Sequence, residues 1–229
     1  MSQSNNKESR RSFIQKVSMT AFAFPLIPLG ISTLIGCAKS SDGKITSEID
    51  SIKANAITSP DCNWCGAKDA PENVSWRTVI ANTDDEGEPL IITGTVFKPD
   101  GKSPAPNILI YAYHTNAKGY YGTLKDEHRH GRFRGWMLTD EKGRYEFRSI
   151  KPAPYPGRDI PAHVHMTVTG KSFREDWIDT IWFAGDPLIT AETKAKQLSG
   201  RGGFNPIIEL KKDERGFLRG IRDIKLERV

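Results

Sequence analysis

The chain has 229 residues with 33 Lys and Arg against 28 Asp and Glu, a formal charge of +5, with 37% hydrophobic and 27% charged residues. That balance fits a globular protein and excludes a disordered or multi-pass membrane chain. Residues 1–36 hold Lys7, Arg10, Arg11 and Lys16 against Glu8, a net +3, so the remaining 193 residues carry only about +2, and no nucleic-acid partner is expected.

Taken in chain order, Ser9-Arg10-Arg11-Ser12-Phe13-Ile14 sets a twin arginine before an uncharged apolar stretch, Val17 to Gly36. This is an export signal of the twin-arginine type. The stretch closes on Leu34-Ile35-Gly36-Cys37, similar to the lipobox of bacterial lipoproteins, which implies cleavage before Cys37 and a lipid on its thiol. The rival reading, an uncleaved spanning helix, is disfavoured by Pro25 and Pro28. The expectation is an exported, membrane-anchored lipoprotein: 1–36 signal, 37–60 a lipidated polar tether, 61–88 a Cys-x-x-Cys lead-in and 89–229 the folded domain.

In the lead-in, Cys62-Asn63-Trp64-Cys65 reads as a local disulfide in an oxidising compartment, with a redox-active pair and a metal site as rivals. A thioredoxin-like motif needs a strand before it and a helix after it. Ser59-Pro60-Asp61 and Gly66-Ala67-Lys68 mark a loop instead.

From Pro89 onward short apolar runs alternate with turn signals. Strands are expected at Leu90–Phe97, Asn107–Tyr113, Phe133–Thr139, Arg144–Ile150, His163–Thr169, Ile178–Phe183, Asn205–Leu210 and Phe217–Leu226. Asp140-Glu141-Lys142-Gly143 has hairpin chemistry and is expected to pair its flanking strands. One short helix is expected, about Ala191 to Leu198, stopped by Ser199-Gly200. The pattern predicts an all-β sandwich in one domain with little helix.

Pro154-Tyr155-Pro156 precedes Pro161-Ala162-His163-Val164-His165-Met166. Along a strand His163 and His165 share one face, while Val164, Met166 and Val168 share the other and go to the core. Two imidazoles one pleat apart suit one metal ion, and Tyr155 is placed to fold back as a third ligand. A phenol, with a free pKa of about 10, binds as an anion near neutrality only to a strongly Lewis-acidic ion such as Fe(III), which argues against zinc.

These residues carry a resemblance to the intradiol ring-cleavage dioxygenases, the protocatechuate and catechol dioxygenase family. Asn116-Ala117-Lys118-Gly119-Tyr120-Tyr121 is similar to a second block of that family, and Trp182 to Pro187 and Gly220 to Ile224 are family-like. The resemblance covers roughly Glu88 to Asp186 and the C-terminal strand. It implies Fe(III) held by Tyr121, Tyr155, His163 and His165, with a small aromatic diol and O2 as substrates. The diol would bind as a dianion, displacing the Tyr155 phenolate, and its ring would open between the hydroxyl-bearing carbons to a muconate-type diacid. Two departures stand out. Ile160 occupies the position of a family arginine, for which Arg158 is the candidate substitute, and Asp179-Thr180-Ile181 replaces a region where many members carry Gln.

Several further residues have bland readings. His128-Arg129-His130 lies in a charged run and reads as a solvated loop. His114 is expected in the pocket wall behind the ligands, and Tyr120 is the alternative to Tyr121 if the register is off by one. Tyr111, Tyr113 and Tyr145 are expected as packing residues. A non-catalytic binding module built on the same scaffold is the competing function, and the oligomeric state is left unassigned.

Overall fold

The computed structural model describes residues 48–58, 61–122 and 128–228. The expected signal, Cys37 and the first part of the tether lie outside them.

The expected strands form a sandwich of two sheets. The element order is β1 (Arg77–Val79), β2 (Pro89–Phe97), β3 (Leu109–His114), β4 (Arg134–Leu138), β5 (Arg144–Ile150), β6 (His163–Gly170), β7 (Phe173–Phe183), β8 (Ile207–Ile208), β9 (Lys211–Lys212), β10 (Leu218–Ile221) and β11 (Ile224–Lys225). One sheet runs β1-β5-β2-β10-β9, with β11 also pairing with β2; the other runs β4-β3-β6-β7-β8. Alternation sets the core between them: Leu90, Ile92, Tyr145 and Phe147 from the first sheet meet Ile110, Ala112, Val164 and Met166 from the second.

The expected hairpin is corrected. β4 pairs with β3, whereas β5 pairs with β1 and β2, so Asp140–Gly143 carries the chain from one sheet to the other. Its turn is closed locally: Gly143 N–H donates to Asp140 O, and the Asp140 carboxylate accepts from Lys142 N and Arg144 N. Bonds of that kind specify a turn without specifying which strand pairs with which.

Two other strand expectations change. β7 begins at Phe173, five residues before Ile178, and the expected Phe217–Leu226 is split into β10 and β11. The split falls where Arg222 N–H donates to Thr93 O and the Asp223 carboxylate accepts from Thr95 N, interrupting the parallel ladder on β2. The expected helix is present as Ala191–Gln197, capped at Thr190.

All six residues of β3 are buried, because its sheet is covered on both faces. The outer cover comes from the N-terminal side. Residues 48–53, expected within the tether, are helical, and their Ile49 and Ile52 pack with Ala67, Ala70, Val74, Leu109 and Leu138 in a second apolar cluster. The domain therefore includes residues assigned to the tether.

Candidate metal centre

β6 delivers His163 and His165 to the outer face of the β4-β3-β6-β7-β8 sheet, with Tyr113 of β3 directly across from His165. Val164 and Met166 point the other way, into the core, so inter-sheet packing fixes which face carries the imidazoles. Two loops close over that face, one bringing Tyr121 and the other Tyr155.

The four side chains converge. His163 Nε2 and His165 Nε2 are 3.0 Å apart, and the Tyr155 hydroxyl lies 3.2 Å from the first and 3.1 Å from the second. The Tyr121 hydroxyl contacts that of Tyr155. Tyr120 is 57% exposed, and it is Tyr121 whose hydroxyl joins the other three groups. His163 Nδ1 donates to Pro161 O at 2.6 Å, leaving its Nε2 lone pair directed at the phenols.

The two loops are built on each other. Asn116 Oδ1 accepts from Lys118 N and Tyr120 N, and Asn116 N–H donates to Tyr120 O, which curls the chain just before Tyr121. Ala153 N–H donates to Asn116 O, and the Thr115 hydroxyl donates to Ala153 O at 2.7 Å. His114 is fully buried behind them, donating from Nδ1 to Thr115 O and accepting at Nε2 from the Ser149 hydroxyl. It supports the Thr115 loop, as expected of a wall residue.

Burial governs the charge states. It pushes the His163 imidazole down and that of His165 well down, favouring neutral rings. Burial also raises both phenols; within the pair, the contact with Tyr121 and the Arg158 charge oppose that rise at Tyr155. Arg158 itself is exposed, and its backbone N–H closes a turn on Tyr155 O.

This donor set fits a ferric ion. Among the described residues no group of three or more His, Cys, Asp or Glu side chains converges, so a zinc site of ordinary composition has no basis there. Two neutral imidazoles and two phenolates would bring a charge of about −2 to a largely buried site, which suits a trivalent cation able to lower the phenol pKa.

The structure corrects the reading of His130. It is buried, with Nε2 donating to Asn63 O at 2.6 Å and Nδ1 accepting from the Tyr111 hydroxyl at 2.7 Å. Burial pushes its imidazole down to about 4, so the ring is neutral. Tyr113, expected only as packing, stacks on both His130 and His165. Neither role has a local sequence signal, since the covering residues come from the lead-in. There Cys62 and Cys65 are disulfide-bonded, as expected.

Comparison with known proteins finds relatives in one family. A family model described as Dioxygenase matches residues 67–201. The chain is 34% identical over 136 residues to a catechol 1,2-dioxygenase of Acinetobacter baylyi, covering 52% of this chain and 43% of that protein. It is 32% identical over 123 residues to a protocatechuate 3,4-dioxygenase beta chain of Burkholderia cepacia, covering 49% and 52%. The chain thus matches about half the length of these relatives. A solved catechol 1,2-dioxygenase from an Acinetobacter species superposes with a TM-score of 0.54 at 26% identity, covering 70% of this chain and 59% of that one.

Proposed function

This chain belongs to the dioxygenase family, and from that premise we propose that it is a non-haem Fe(III) intradiol dioxygenase that opens a catechol-type ring. The observation that carries the reading is the convergence of the Tyr121, Tyr155, His163 and His165 polar atoms on one point of the outer sheet face. Fe(III), when bound there, supplies the Lewis acidity that takes a diol through both oxygens and makes its ring reactive toward O2. Diol plus O2 gives the diacid with both oxygen atoms incorporated, so no external reductant is required.

The chain's own residues divide the remaining work. His163, oriented by Pro161 O, and His165, backed by Tyr113, hold the donor geometry. Tyr155 sits on a proline-bracketed turn whose following residues 156–159 are exposed, and its phenolate oxygen receives a proton from the incoming diol. Arg158, next to that turn, supplies the positive charge that the family places at the position of Ile160.

Ile160 also favours a second reading, a surface module that binds a diol without turning it over. Oxygen uptake with catechol, protocatechuate and hydroxyquinol separates the two. Reddish, iron-loaded protein that consumes oxygen with one of them supports the enzyme, and coloured protein inert to all three supports the module. Protein that stays colourless after aerobic iron loading refutes the metal centre itself.

We propose further that Cys37 is lipidated and that the domain works outside the cytoplasm. The disulfide at Cys62–Cys65 supports an oxidising compartment. Mass spectrometry of the detergent-extracted protein tests it, since an unmodified or internal Cys37 contradicts the assignment.

A further inference from the structure

Two motifs have no part in the proposed centre: the Cys62–Cys65 pair and His128-Arg129-His130. The fold brings them to one place beside it. Asn63 lies inside the disulfide turn, and its carbonyl takes the Nε2 proton of His130. The other ring nitrogen accepts from Tyr111, so both polar atoms of a ring that is 4% exposed are engaged. That ring lies on Tyr113 with centroids 3.6 Å apart and planes 2° from parallel. Tyr113 in turn stacks on His165, at 4.7 Å and 17°.

The imidazole torsion about its last bond is broad and soft, so a ligand histidine needs a neighbour that fixes its plane. For His163 that neighbour is the Pro161 carbonyl. For His165 the neighbour stacked parallel on the ring plane is Tyr113, with His163 edge-on beside it, and Tyr113 is held between Tyr111 and, more closely, His130.

The disulfide turn is anchored firmly enough to serve as the fixed end of this column. Arg129 Nη2 donates to Cys65 O at 2.7 Å, and Trp136 Nε1 donates to Gly66 O at 2.8 Å. The Glu175 carboxylate accepts from Gly66 N and Ala67 N. A Cβ at Gly66 would stand 2.2 Å from the Tyr111 ring, so the lead-in lies directly against the residue that donates to His130.

We propose that His130 is a positioning residue of the metal centre: held by Asn63 and Tyr111, it fixes Tyr113 and through it the imidazole of His165, and the Cys62–Cys65 bridge is the clamp that holds Asn63. This rests on the reading of His165 as an iron ligand.

The test uses the full chain, loaded with Fe(III), as wild type, His130→Phe, His130→Gln, Cys62→Ser/Cys65→Ser, and the triple variant joining His130→Phe to both serines. Two readouts are independent of turnover: the position of the tyrosinate-to-iron charge-transfer band, and iron affinity by chelator competition. His130→Phe keeps a ring but loses both hydrogen bonds; His130→Gln keeps a donor and an acceptor but loses the ring. Each is expected to shift the band and weaken iron binding about tenfold or more. The double-serine variant does the same, and the triple variant is no worse than His130→Phe, because both act through one column. An unmoved band and full affinity in both His130 variants overturn the proposal, and additive losses in the triple variant overturn the clamp. If neither His130 variant folds, the double-serine variant decides: unchanged band and affinity refute the proposal, and a shift upholds it. Wild type that takes up no iron overturns this inference together with the functional reading, whereas coloured wild type with unmoved variants overturns this inference alone.

Discussion

A Cβ placed on Gly119 would stand 2.1 Å from the carbonyl oxygen of Pro154. The loop that brings Tyr121 and the loop that brings Tyr155 therefore touch at the backbone, and their approach is set where Gly119 lacks a side chain. Gly119 also has φ +84°, a conformation that costs an L side chain about 1–2 kcal/mol.

Gly119→Ala is thus expected to separate the loops. Iron affinity should fall about tenfold or more, with the sheets intact by circular dichroism. Chelator competition measures it, and wild-type affinity in Gly119→Ala would show that the loops are positioned some other way.

Tyr121→Phe should shift or bleach the charge-transfer band, since its hydroxyl contacts that of Tyr155. Tyr120→Phe should leave the band where it is, because that ring is exposed to solvent. The reverse result in the absorption spectra would move the ligand assignment by one residue.

How far the site could be read in advance depended on where the information lay. The alternation His163-Val164-His165-Met166 carries its own faces, and the structure keeps them. The Asp140–Gly143 turn was legible as a turn but not as a crossing between sheets, since the bonds its sequence signals, those of the Asp140 carboxylate, are local, while the one from Val96 N–H to Gly143 O comes from a distant strand. His130 looked solvated because its neighbours in sequence are charged, while the groups that bury it, Asn63 and Tyr111, lie 67 and 19 residues away. The start of β7 was hidden in the same way: Glu175 breaks the apolar pattern, yet it is buried because the lead-in brings backbone N–H groups to its carboxylate. Ile49 and Ile52 are only two apolar positions, too few to reveal a helical period on their own.

Gly66 provides a test of the lead-in packing. Its φ of −161° is not left-handed, and the close contact a Cβ would make is with the Tyr111 ring, so Gly66→Ala is expected to act through crowding of that ring. Overpacking of this kind costs about 1–3 kcal/mol. Urea unfolding should show the midpoint lowered with an unchanged slope, and an unaltered midpoint would mean the turn yields freely.

Glu175 predicts a pH dependence. Burial raises its carboxyl pKa, against the hydrogen bonds it accepts from Thr167, Gly66 and Ala67. A folded-state value above the unfolded one means a contribution present below the unfolded pKa of about 4.3 and lost as pH rises through the folded value. Glu175→Gln lacks that titration, so its melting temperature should gain on wild type as pH rises through the interval between the unfolded and folded values, and level off above it. A constant difference between the two from pH 4 to 8 would contradict the raised pKa.

The burial of every β3 residue has a kinetic consequence. The outer layer belongs to the early part of the chain, yet its fastenings reach far along it: Gly66 N–H meets Glu175 at a separation of 109 residues. The sandwich itself closes a longer span, 128 residues between Thr95 and Asp223, but the cover has no face to pack on until β3, β4 and β6 have paired. The sandwich is expected to assemble before its N-terminal cover docks, leaving the imidazole face open during that interval. Trp136, bonded to Gly66, should report docking by fluorescence as a step later than the rise of β-sheet circular dichroism during refolding, and coincident traces would exclude that order. The donor face would then be most open to a hydrated ion while the chain is still finishing its fold.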